Sequence, residues 1–191
     1  MAGRRMGPQD ASVRFDLLDA AERVIERDGY PAVTSRNVGA EAGVDQKLVY
    51  YYFRTMEDLV VATFRRRSEA FLARLEDIAR SDRAIRSIWS LSSDRSGRLI
   101  MEFMAMANRN AALQDEVRRY SARAGEIVEA AIAREFATVA EVDRAIFTPA
   151  FMNFLIAACA RNLILENELG LLPAPDQVRS SMEAWLDSLG L

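Results

Sequence analysis

The sequence has no histidine, a single cysteine (Cys159) and a single lysine (Lys47) among its 191 residues. Without histidine there is no imidazole general acid or base, no Ser-His triad and none of the commonest zinc ligands. Carboxylate, lysine and tyrosine chemistry are left open. A lone cysteine excludes an internal disulfide; it fits a reducing cytoplasm, with Cys159 acting as a small hydrophobe. Long apolar runs are missing as well. The most apolar one, FMNFLIAACARNLIL, is broken by Asn153, Arg161 and Asn162 and is too short and polar to span a bilayer, so no membrane partner is expected. The opening residues MAGRRMGPQD have no apolar core of the kind a secretory signal needs. Strand signals are nearly absent, with no Asn-Gly hairpin turn and no sustained alternation, and no repeat of fixed period appears. Nucleophile–base, metal-ligand and phosphate-loop motifs are lacking, so neither a cofactor, a metal nor an enzymatic activity is expected.

Half the residues are hydrophobic, enough for a core in one large domain or two small ones. The net charge of −3 conceals an asymmetry: residues 1–67 hold 11 Lys and Arg against 10 Asp and Glu, residues 68–191 hold 14 against 18. A mildly basic front on an acidic rear suits a small nucleic-acid-binding head on a larger body.

Helical periodicity runs throughout. SVRFDLLDAAERVIERDG sets Val13, Leu17, Ala20, Ala21, Val24 and Ile25 on one face, widened by Phe15 and Leu18, and stops at Gly29. Thr34 reads as the N-cap of a short helix ending at Gly43, and Asp45 as the N-cap of the next. Thr55 with Asp58 resembles a capping box with a shorter acid, opening a helix of about 25 residues. Further helices are expected near 83–92, 95–108, 110–137, 149–169 and 175–189, with Thr148-Pro149 as cap and first helical residue and Gly170 as a terminator. The fold class is all-α.

Two short helices at about 35–42 and 45–52, joined at Gly43-Val44, have helix-turn-helix spacing. Val38, Ala42, Val44 and Val49 form the expected joint. The second helix would then expose Asp45, Gln46, Lys47, Leu48, Tyr51 and Tyr52. Gln46 and Lys47 suit base edges and phosphates in a major groove, and tyrosine hydroxyls can donate to phosphate oxygens. The aromatic string VYYYF thus reads as part wedge, part phosphate clamp. The RRR at 65–67 reads as a solvated face.

With these features together, residues 12–66 resemble the DNA-binding head of the TetR family of one-component regulators. The stretch LLDAAERVIERDGYPAVTSRNVGAEAGVDQKLVYYYFRTMEDLV has the first helix, the Gly-Tyr exit, the threonine cap, AEAGV, an aliphatic-Tyr-x-Tyr-Phe string and a capped fourth helix. By that resemblance Thr34, Gln46, Lys47, Tyr51 and Tyr52 are DNA contacts and Tyr50 is a joint residue near the phosphates. Three departures stand out. Asp45 and Gln46 occupy positions where Ser and Lys are frequent, so Asp45 either caps the helix or accepts from a cytosine amino group. Met56 stands where a lysine is common, which gives that phosphate to Arg54. A tyrosine replaces a frequent histidine in the aromatic string.

The resemblance implies an arm at 1–11, a helix-turn-helix domain at 12–56 and a ligand-binding and dimerisation domain at 57–191. Gly3 to Arg5 is either a solvated tail or an arm that enters a minor groove. In such a body the central helices enclose an inducer cavity. The candidate lining is Trp89, Phe103, Met104, Tyr120, Phe147 and Phe151, with Asn108, Arg123, Asn153 and Arg161 as polar hooks, which suits a largely apolar small molecule. The helix 149–169 is apolar on more than one face and 175–189 carries a further stripe, so both are candidates for a twofold interface through Phe154, Ala158, Ile164, Met182, Trp185 and Leu189.

Two functions follow. One is a homodimeric, cytoplasmic transcriptional regulator, a repressor released from a double-stranded DNA operator by its small-molecule inducer. The other is a helical small-molecule-binding protein or enzyme whose head does not bind DNA.

Overall fold

The computed structural model describes residues 8–94, 97–139, 143 and 145–191. Among them there is no strand. The helices are α1 (Pro8–Asp28), α2 (Ser35–Ala42), α3 (Gln46–Tyr52), α4 (Met56–Ala79), α5 (Ala84–Ser93), α6 (Gly97–Ala107), α7 (Ala111–Phe136), α8 (Pro149–Glu168) and α9 (Pro175–Ser188), with a 3-10 turn at Tyr30–Ala32 after α1. α1 opens at Pro8, earlier than the periodic pattern that starts at Ser12; proline at a first helical position loses no intrahelical bond. The candidate arm residues Gly3 to Arg5 lie outside the described residues.

Contacts divide the chain into two compact units. One holds residues up to Arg67 together with Leu99–Val117; the other holds Ser68–Arg98 together with Arg118–Leu191.

In the first unit α1 packs on α2 and α2 on α3. Leu17, Leu18, Ala20, Ala21, Val24 and Ile25 are buried along α1 as their spacing requires, whereas Phe15 is exposed. Each large aliphatic among them stabilises the unit by roughly 1.5–3 kcal/mol. Phe64 of α4 meets Phe103 of α6 edge-on, with ring centres 5.2 Å apart. Arg65, Arg66 and Arg67 do not form a solvated face. Arg65 pairs with Glu116 of α7, Arg66 with Asp19 and Arg67 with Glu22 of α1, so the triplet ties α4 to its neighbours. Glu102 of α6 accepts the backbone N–H of Tyr30 at 3.0 Å, at the exit from α1.

In the second unit α8 packs on α5 and α9. The core gathers Leu75, Ile85, Ile88, Trp89, Val128, Ile132, Met152, Ile156, Leu163 and Leu186. Glu135 is buried and accepts the N–H of Ile85 at 2.9 Å, covering a donor at the start of α5 that has no helical partner. The Thr148 hydroxyl does the same for Phe151 N–H at the start of α8, 3.2 Å away.

Candidate nucleic-acid interface

Local capping sets the second and third helices. The Thr34 hydroxyl accepts the Asn37 N–H at 3.2 Å, leaving its own proton free to donate outward. Gly43 closes α2 at φ 70°, the left-handed conformation that a Cβ disfavours. The Asp45 carboxylate accepts Lys47 N–H at 2.8 Å, which answers the question raised by an acid at this place: its charge is committed to the N-terminus of α3. Thr55 and Asp58 form the full reciprocal box, Asp58 N–H to Thr55 Oγ1 at 3.0 Å and Thr55 N–H to Asp58 Oδ2 at 3.1 Å.

The approach of α2 to α3 depends on a residue that helical periodicity alone does not single out. Gly39 is buried mid-helix, and a Cβ there would lie 3.0 Å from the Val44 carbonyl oxygen and 3.2 Å from Gln46 Cα. Val38 and Val49 fill the joint, and Ala42 and Val44 are half-buried at its margin. Two ion pairs fasten α1 to α2 beside it: Arg23 to Glu41 at 2.7 Å and Arg27 to Glu41 at 2.9 Å. Those guanidinium groups, Arg23 first, hold the Glu41 carboxyl below its ordinary range.

Across α3 the side chains sort into two stripes. Val49 and Phe53 are buried and Leu48 and Tyr52 half-buried, so this side faces the head. Gln46, Lys47, Tyr50, Tyr51 and Arg54 are exposed. Tyr50 is therefore not the joint residue expected: it is 54 % exposed, about as open as Tyr51 at 55 %. Tyr52 is the one turned inward, its ring edge-on to Tyr51 at 4.9 Å. The reason is the helical turn itself. At about 100° per residue Tyr52 falls between the buried Val49 and the half-buried Leu48, whereas Tyr50 lies about 100° from Val49 on the other side. Arg14 of α1 stacks over the Phe53 ring at 5.1 Å and supports the same corner.

The cations of the head separate in the same way. Arg23, Arg27, Arg65, Arg66 and Arg67 are all engaged with carboxylates. Among the described residues, Arg36, Lys47 and Arg54 are exposed and make no ion pair. Arg36, the second residue of α2, is not among the contacts expected from the sequence; its place in the first turn after the Thr34 cap is the signal for it.

The body candidates divide between the two units. Phe103 and Met104 belong to the first unit, Phe103 buried against Phe64 and Met104 exposed. Trp89, Tyr120, Phe147 and Phe151 belong to the second. Trp89 is a core residue, Tyr120 lies 6.1 Å from Phe71, and Phe147 stands between Phe151 at 6.3 Å and Trp185 at 6.2 Å. Two of the polar hooks are engaged within the protein, Asn153 with Glu129 at 3.2 Å and Arg123 with Glu76 at 3.0 Å; Asn108 and Arg161 are exposed. A cleft of about 160 Å³ in the second unit is lined by other and more polar groups, among them Ser93, Asp94, Asn167, Glu168 and Arg179. Of the interface candidates, Phe154 is 66 % exposed and Ala158 half-buried. Met182, Trp185 and Leu189 are partly buried against the core of their own unit, and Ile164 is buried. Ile146, Leu171 and Val178 add exposed apolar surface in this unit.

Among the described residues no group of three His, Cys, Asp or Glu side chains is placed to hold a metal, and no helix is long and apolar enough to cross a membrane.

Residues 17–63 match the family described as bacterial regulatory proteins, tetR family. The fatty acid metabolism regulator protein of Bacillus subtilis (strain 168) is 31% identical over 63 residues, 33% of this chain and 32% of that one. The HTH-type transcriptional regulator BetI of Rhizobium meliloti (strain 1021) is 41% identical over 66 residues, 35% of this chain and 30% of that one. The matched segment thus spans about a third of the length of these relatives. Beyond it the likeness is one of fold. A transcriptional regulator from Saccharomonospora viridis, solved in complex with choline, superposes with a TM-score of 0.82 at 16% identity over 93% of this chain and 96% of its own. A TetR-family transcriptional regulator from Rhodococcus sp. gives 0.71 at 23% identity over 93% and 98%.

Proposed function

Because the chain is a TetR-family protein through its N-terminal domain, residues 17–63, we propose that it is a DNA-binding transcriptional regulator that lays α3 in a major groove. The observation that carries this reading is the outward stripe of α3 and its borders: Gln46, Lys47, Tyr51 and Arg54 are exposed together, and Lys47, Arg54 and nearby Arg36 have no carboxylate partner among the described residues, while the head's other described arginines pair with carboxylates or, for Arg14, stack on Phe53. Gln46 and Lys47 read base edges. Thr34, Tyr51 and Arg54 hold phosphates, with Tyr50 and Arg36 added by their exposure, while Tyr52, turned inward, braces the Tyr51 ring.

A short recognition helix gains its affinity from a second half-site about one helical turn away, so the working form is a homodimer. The exposed Phe154 and half-buried Ala158 of α8, joined by Met182, Trp185 and Leu189, are the surface assigned to it. A small, largely apolar ligand in the body releases the operator by preferring the spacing of heads that does not fit DNA, a coupling of roughly 1–3 kcal/mol. The proposal places the protein in the cytoplasm as a repressor and gives it no catalytic step.

Co-elution tests it. The protein is run on gel filtration with a duplex from its own upstream region in low and moderate salt. The reading expects a complex of two chains per duplex that weakens steeply with salt. Separate elution at both salts contradicts it.

A further inference from the structure

Glu102 of α6 is half-buried, and its carboxylate sits on the exit from α1. Oε2 accepts the Tyr30 N–H at 3.0 Å, across 72 positions of sequence, and Oε1 lies 3.1 Å from where a Cβ on Gly29 would stand. All three residues belong to the first unit. The 3-10 turn Tyr30–Ala32 has no cap of its own, because its N-cap is Gly29, held at φ 80° and without a side chain to offer. Glu102 supplies that cap from another helix, and a bond to a charged acceptor is a strong one. The turn leads straight into the helix-turn-helix. Asn37 Nδ2 donates to Ala32 O at 2.9 Å and the Thr34 hydroxyl accepts the Asn37 N–H at 3.2 Å, so the turn is tied to the first residues of α2. α2 then meets α3 at Gly39, where there is no room for a Cβ. α6 is itself seated on α4, since Phe103 lies edge-on to Phe64.

We propose that Glu102 is a positioning residue for DNA recognition: it holds the Tyr30 N–H, the turn sets where α2 begins, and the α2–α3 joint carries that setting to the exposed stripe of α3. The proposal rests on the DNA-binding reading above. Charge and position pull in opposite directions here. Loss of an acid from a protein that binds a polyanion leaves affinity unchanged or raises it. Loss of the bond to Tyr30 lowers affinity for the preferred sequence, because contacts to base edges depend on the orientation of α3. It changes sequence-independent binding little, since attraction to phosphates tolerates a small displacement.

The test uses the full chain and two variants that separate charge from reach. Glu102→Asp keeps the charge and falls one methylene short of the N–H; Glu102→Gln removes the charge and keeps an acceptor oxygen at the same reach. Each is titrated against a duplex that the wild type enriches from a randomised pool and against a shuffled duplex of equal length, with circular dichroism and sedimentation confirming the wild-type fold. Glu102→Asp is expected to lose about tenfold on the enriched duplex and little on the shuffled one, and Glu102→Gln to stay near the wild type on both. Amide exchange adds a readout in the free protein: the Tyr30 N–H is expected to be protected in the wild type and in Glu102→Gln and to exchange faster in Glu102→Asp. Wild-type discrimination by Glu102→Asp, an equal loss on both duplexes, or an equal effect of the two variants overturns the proposal while leaving DNA binding in place. An unprotected Tyr30 N–H in the wild type overturns it as well, even if a variant fails to fold. A wild type that enriches no duplex from the pool overturns the DNA-binding reading, and the proposal with it.

Discussion

Lys47 is the residue on which most of the functional reading converges: the only lysine, exposed in the first turn of α3 and without an ion-pair partner among the described residues. Removing a phosphate- or base-contacting side chain should cost about 1–3 kcal/mol of binding and lower the salt dependence by about one counterion. Lys47→Ala is therefore expected to weaken operator binding by roughly tenfold or more with unchanged circular dichroism, measured by titrations at several salt concentrations. Asp45 has a different part, since it serves the helix and not the ligand. Asp45→Ala should lower stability by about 1 kcal/mol in a urea titration, and Asp45→Asn, which still caps, should recover most of it. The caps Thr34, Asp45, Thr55 and Thr148 were legible in the sequence because a cap needs only a few neighbouring residues. Which of Tyr50 and Tyr52 turns inward was not, because it depends on the phase of α3 against α1 and α2, and a seven-residue helix shows too little periodicity to set that phase.

At the scale of elements, the helix-turn-helix depends on two glycines for opposite reasons. Gly43 has open space around a would-be Cβ but sits at φ 70°, whereas Gly39 has ordinary helical backbone and no room. Gly43→Ala should cost about 1–2 kcal/mol from strain alone. Gly39→Ala should cost as much or more and also weaken DNA binding, because it pushes the Val44 carbonyl and the start of α3 away. Thermal denaturation beside binding titrations separates the two: a Gly43→Ala protein that folds should bind nearly normally. The helices themselves were legible, with the expected boundaries at 83–92, 110–137, 149–169 and 175–189 falling within a residue or so of α5, α7, α8 and α9. What joins them was not. The ion pairs of Arg65, Arg66 and Arg67 and the acceptance of Tyr30 N–H by Glu102 link residues far apart in the chain, and spacing carries no sign of them.

For the molecule as a whole, the proposed working unit is two chains. Phe154 is the most open of the large apolar residues proposed for the interface, so Phe154→Glu should shift the protein to the monomer mass in sedimentation and lower operator affinity without disturbing the head. A dimer that survives this change would move the interface elsewhere. The candidate ligand lining has no local signal of the kind a helix cap gives. Aromatic and methionine residues at helical spacing serve core and cavity alike, and the six proposed residues divide between the two units, with Trp89 and Phe103 in their interiors.

The central claim is that α3 reads a specific DNA sequence. The most direct measurement is fluorescence anisotropy of the wild type and of Lys47→Ala on the protein's own upstream duplex, beside a shuffled duplex of equal length. The account predicts that the wild type prefers its own duplex by roughly a thousandfold, that binding weakens steeply with salt, and that Lys47→Ala loses much of the preference. Equal, weak binding to both duplexes that the substitution leaves unchanged would contradict it.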